Sequence, residues 1–128
     1  MDRKILFTAG ILGMTAILFG AFGAHALKEV LTSEQLNTFE TGVKYQMYHS
    51  LFLIFLGMNQ SISEKIKKQI FILISFGTLL FSFSIYLLAT MPVSGINFKP
   101  FGIVTPIGGL LLIIGWLRFS LQFLNRKA

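Results

Sequence analysis

The sequence predicts an all-α membrane protein of four transmembrane helices, with a short amphipathic helix between the first and second. Three observations predict it. Hydrophobic residues make up 54% of the 128 residues and charged residues only 12%, whereas a soluble domain carries about 25% charged residues. The mean hydropathy is +0.74, so lipid rather than water is the natural solvent. Four apolar segments are separated by short polar links, and the basic residues stand at the ends of those segments. The formal net charge of +6 therefore predicts anchoring beside anionic lipid rather than nucleic-acid binding. The length allows one domain, residues 1–128, with spans at about 5–27, 45–60, 69–91 and 105–124.

The first segment, Ile5 to Leu27, contains no Asp, Glu, Lys or Arg. As a helix it spans about 35 Å, enough for a hydrocarbon core of about 30 Å. Ala9, Gly13, Ala16, Gly20 and Ala24 recur in steps of three or four, a stripe that lets another helix approach closely. Arg3 and Lys4 ahead of the run, with Ala24-His25-Ala26 at its end, also fit a cleavable signal peptide, but the run is longer than a usual h-region.

After the polar link at 28–30, Thr32 and Gln35 form a capping box, with Leu31 and Leu36 as its staple. Leu36, Phe39 and Val43 then share one face of an amphipathic segment. It either lies on the membrane surface or extends the next span. Glu40 and Lys44 are spaced to pair at i,i+4. The purely apolar part of the second span, Leu51 to Met58, is short, so the span recruits Tyr45 to Ser50 and places Tyr45, Tyr48 and His49 near its outer end.

Ser61 and Glu64 form a second capping-box pattern before the third span. There Ser75, Thr78, Ser82 and Tyr86 share a face and are expected to hydrogen-bond neighbouring helices. Pro92 ends that helix. Thr105 and Pro106 have the cap-then-proline layout that opens the fourth. Gly108, Gly109 and Gly115 are its expected contact points, and Arg118 should snorkel to the C-terminal interface. Arg3, Lys4, Lys65, Lys67, Lys68, Arg118, Arg126 and Lys127 fall on one side and Lys28, Lys44 and Lys99 on the other. That bias predicts a cytoplasmic-membrane protein with both termini in the cytoplasm.

Candidate chemistry collects where the chain re-enters the membrane. His25 closes the first span and His49 opens the second, with Glu40, Lys44, Tyr45 and Tyr48 near them. Such a set could relay protons, admit a small solute, bind a metal, or only tie the loop to the helix ends. Structural anchoring is the preferred reading, since HExxH spacing and a second carboxylate pair are absent; no metal is assigned. The chain has no cysteine, so thiolate sites and disulfides are excluded. The only aspartate is Asp2, which disfavours a Ser-His-Asp triad. Gly20-Ala21-Phe22-Gly23 lies inside an apolar span and suits packing better than a phosphate cradle, so no cofactor is expected.

GAFGAHAL (20–27), FETGVKYQMYHSL (39–51), FSFSIYLLA (81–89) and TPIGGLLLIIGW (105–116) resemble the signature blocks of the YgdD/YwdK-like bacterial inner-membrane proteins, a family of unknown function. The resemblance covers nearly the whole chain and implies four spans and a plasma-membrane location. It transfers no substrate, reaction or catalytic residue. Phe83 stands where the resemblance leads one to expect a small residue. The leading functional expectation is a small binding or assembly protein acting through its glycine-rich faces, as a homo-oligomer or with a membrane-protein partner in the lipid bilayer. A transporter or channel subunit with His25, Glu40, Tyr45 and His49 at an entrance comes second. A membrane enzyme comes third, for want of a catalytic constellation.

Overall fold

A computed structural model describes residues 1–124. Its elements are α1 (Asp2–His25), a 3₁₀ turn (Leu27–Glu29), α2 (Ser33–Met58), α3 (Glu64–Ala89), a single turn α4 (Met91–Ser94), a second 3₁₀ turn (Lys99–Ile103) and α5 (Val104–Leu124). The described residues contain no strand. Among the described residues, three helical stretches, Asp2–Glu29, Glu64–Ala89 and Lys99–Leu124, are long and apolar enough to cross a membrane.

The helices pack in series: α1 on α2, α2 on α3, and α3 on α5. Helix α2, 26 residues long, therefore lies between two partners. Its length of about 39 Å would suffice to span, but its N-terminal half carries Glu34, Glu40 and Lys44. The amphipathic segment is not a separate helix. It is the first half of α2, because no breaker interrupts Ser33–Met58 and Gly42 is held within the helix by Ile85 and Tyr86 packed against it. The capping box is present: Gln35 N donates to Thr32 Oγ1 and Thr32 N to Gln35 Oε1. Below it, Leu27, Leu31, Phe39, Tyr86 and Ala89 form one buried cluster, with Phe19, Leu36 and Val43 against it.

The second capping box does not form. Ser63 caps α3 by accepting from Ile66 N, while Ser61 donates to Asn59 Oδ1. Thr105 is not a cap either: it lies inside α5, whose start is fed by the 3₁₀ turn, and its hydroxyl is hydrogen-bonded to Ser84 Oγ. Gly95, at φ 73°, terminates α4 in the left-handed region that glycine adopts without strain.

The main core is made by Ile5, Ala9, Leu12, Phe52, Leu53, Leu56, Ile70, Ile74 and Leu112. It joins all four long helices. Small residues set how closely they approach. A Cβ on Gly108 would lie 2.4 Å from Phe81 N, and one on Gly115 would meet Ile74. The stripe of α1 faces α2 through Ala9 and Ala16, which are buried, and Gly13 and Gly20, whose Cβ atoms would meet Ser50 and Val43, but Ala24 is exposed and Gly23, against Phe39, takes its place. Gly109 is looser, 3.6 Å from the Phe81 ring. These glycines are thus occupied by the chain's own helices. Phe83 does not enter the helix seams: it is exposed and lies edge-on to Tyr86.

Candidate functional site

Antiparallel pairing sets the level of every polar group on α1 and α2. Gly13 meets Ser50, Gly20 meets Val43 and Gly23 meets Phe39. That register puts His25 level with the first turns of α2 and His49 about 18 Å deeper, at 1.5 Å per residue. The two histidines are therefore not neighbours. His25 is exposed. The reason is the continuity of α2: with Ser33 as its first residue, His49 falls in its middle rather than at an outer mouth.

His49 is buried and turned toward α5. Trp116 Nε1 donates to its Nε2 at 3.0 Å, and its Nδ1 lies 2.7 Å from Tyr45 O. Indole N–H can only donate, so Nε2 is the acceptor and Nδ1 carries the proton that goes to the Tyr45 carbonyl. Both ring nitrogens are thereby engaged in one neutral tautomer. Tyr45 stacks beside His49, and against Tyr48 and Phe81. Tyr45, His49, Phe81 and Trp116, with Gly109, Leu112 and Ile113, line an open pocket of about 340 Å³ between α2, α3 and α5. Glu40 is half-buried and Lys44 exposed, and they make no ion pair. Of the predicted cluster, Tyr45, Tyr48 and His49 come together, while His25, Glu40 and Lys44 stay outside it. Among the described residues, no three metal-ligating side chains converge.

The polar centre of the bundle lies on the other side of α2, around Gln46. Its Nε2 donates to Leu12 O at 2.9 Å and to Thr15 Oγ1 at 2.6 Å, and its Oε1 accepts from Tyr86 OH at 2.6 Å. One carboxamide thus joins α1, α2 and α3. Ser50 Oγ donates to Ala9 O and Ser82 Oγ to Gly42 O. Ser82 and Tyr86 do what their shared face predicts. Ser75 and Thr78, on the same face, have buried hydroxyls without a protein partner. Gln46 was missed as a site residue because its neighbours Tyr45 and Tyr48 look like interfacial residues. The available signal was its own spacing, four residues before Ser50 on one helical face.

A second polar point lies at the end of the bundle holding the N-terminus. Lys67 is buried, and its Nζ donates to Asp2 Oδ1 at 3.0 Å and to Asn59 O. It is not part of an exposed basic cluster with Lys65 and Lys68, which are exposed. Its position on the core-facing side of α3 turns it inward. The Lys67 ammonium holds the Asp2 carboxyl below the usual carboxylate range. Arg118 Nε donates to Gln69 Oε1, tying α5 to the start of α3. Arg126 and Lys127 lie outside the described residues.

Known proteins similar to this chain carry membrane names. The family described as "Protein of unknown function (DUF423)" matches residues 19–109. A UPF0382 membrane protein of Staphylococcus saprophyticus is 38% identical over 115 residues, covering 89% of this chain and 92% of the relative. One from Haemophilus influenzae is 32% identical over 128 residues, covering 100% and 99%. The UPF0382 inner membrane protein YgdD of Escherichia coli is 32% identical over 118 residues, covering 90% and 85%. No solved structure matches.

Proposed function

Because this chain belongs to the DUF423 family, with UPF0382 membrane proteins as its relatives, it is an integral membrane protein of unknown biochemical function, and we propose that it acts as a sealed four-span binding or assembly protein. Helix α2 is the fourth span. Gln46, His49 and Ser50 in its deeper half face protein rather than lipid, while Glu34, Glu40 and Lys44 lie in its N-terminal half, toward the outer end. An even number of spans puts both termini on one side. Arg3, Lys4, Lys65, Lys68 and Arg118 lie at that end, and Lys28, Lys44 and Lys99 at the other, which supports cytoplasmic termini.

The observation that carries the reading is the saturation of Gln46 and His49. A conducting path needs polar groups free to exchange partners with water or solute. Here both side chains bond to neighbouring helices, and Leu53 and Leu56, each 0% exposed, form an apolar layer between Gln46 and the Lys67–Asp2 pair. Since the glycine seams are filled internally, association would use the lateral aromatic and aliphatic surface.

Reconstituted vesicles loaded with a pH-sensitive dye test this. Proton leak with the protein should match protein-free vesicles, and His49→Ala should leave it there. Cross-linking in native membranes should capture the chain with a membrane protein or with itself. A proton flux abolished by His49→Ala would replace this reading with a transporter.

A further inference from the structure

We propose that the pocket between the start of α1 and α3 binds one anionic phospholipid, with the phosphate on Arg3 and Lys4 and an acyl chain along Phe7 and Phe71. The pocket holds about 450 Å³ and is lined by Arg3, Lys4, Phe7, Thr8 and Phe71. Its order along α1 is that of a phospholipid: two cations, then a hydroxyl one turn deeper, with aromatic rings beside it. Basic pockets between helix ends at a membrane surface take anionic headgroups for this reason.

Two further observations support a charged occupant. Arg3 and Lys4 are exposed and make no ion pair within the described residues. Their sequence neighbour Asp2 would cancel one of those charges if it faced them, but its carboxylate is bound to buried Lys67 instead. The pocket therefore keeps a net positive charge. Thr8 also presents an unengaged hydroxyl at this pocket. Thr15, Thr38, Thr41 and Thr90 bond back to carbonyls of the preceding turn, whereas half-buried Thr8 makes no hydrogen bond among the described residues and can donate to a phosphate or glycerol oxygen.

Native mass spectrometry of the full chain, released from micelles containing equal amounts of phosphatidylglycerol and phosphatidylcholine, tests the site. The unaltered protein should retain one phosphatidylglycerol in preference to phosphatidylcholine. R3Q/K4Q should weaken that retention about thirtyfold, the product of two basic contributions each worth roughly five- to sixfold. K65Q/K68Q, which removes two exposed cations outside the pocket, should leave it unchanged. If R3Q/K4Q is not recovered folded, K4Q alone should show the five- to sixfold loss. Equal retention of phosphatidylcholine, undiminished binding by R3Q/K4Q, or equal loss in both double variants would each overturn the site.

Discussion

Replacing Gln46 with leucine removes a side chain that hydrogen-bonds α1, α2 and α3 together at the centre of the bundle. The substitution deletes two donations from Nε2 and one acceptance at Oε1. Interhelical hydrogen bonds in membranes average about 0.6 kcal/mol, so three give about 2 kcal/mol. The Tyr86 hydroxyl is then left without its acceptor in a buried site, and an unsatisfied buried polar group costs about 1–3 kcal/mol. The expected loss is about 3–5 kcal/mol. Tyr86→Phe alone removes one of the three bonds and leaves Gln46 Oε1 bare, for about 2–4 kcal/mol. The double variant leaves neither group stranded, so its cost should fall below the sum of the singles by at least about 1 kcal/mol. Reversible unfolding in mixed micelles, followed by circular dichroism, measures all four proteins. A Gln46→Leu variant as stable as the unaltered protein, or strict additivity in the cycle, would refute the central role given to this carboxamide.

Neighbouring glycines on α5 should respond oppositely to one added methyl. Gly108→Ala puts a Cβ against the backbone of α3, at 2.4 Å from Phe81 N, and should cost about 1–3 kcal/mol by forcing the helices apart. Gly109→Ala, with 3.6 Å to the Phe81 ring, should unfold like the unaltered chain in the same micelles. The Asp2–Lys67 pair makes stability pH-dependent. The folded Asp2 carboxyl titrates below its ordinary value of 3.8, so its contribution is fully present above that value and is lost as pH falls through the lower, folded one. Asp2→Asn should destabilise the protein at neutral pH and flatten the acid limb of stability measured against pH; an unchanged acid limb would remove Asp2 from its cause.

Composition and hydropathy determined the solvent and the all-helical class, because a chain this apolar cannot cover a water-facing surface, while the family was legible in the blocks at 20–27, 39–51, 81–89 and 105–116. The Thr32–Gln35 capping box was also legible, since a cap is decided within four residues. The polar face of Ser82 and Tyr86 was visible from helical period alone. What the tertiary structure decided is which side of each polar helix meets protein. Tyr45, Gln46, Tyr48 and His49 are close in sequence, yet Gln46 turns to α1 and α3 and His49 to Trp116. Lys67 looks like its neighbours Lys65 and Lys68 until α1 brings Asp2 to it from 65 residues away. The glycine stripe of α1 was equally legible as a contact face, but only packing showed that α2 fills it. Local propensity and transfer energy act within a few residues and are written in the sequence. Hydrogen-bond partners across helices depend on register and rotation, which are settled only when the side chains of several helices pack at once.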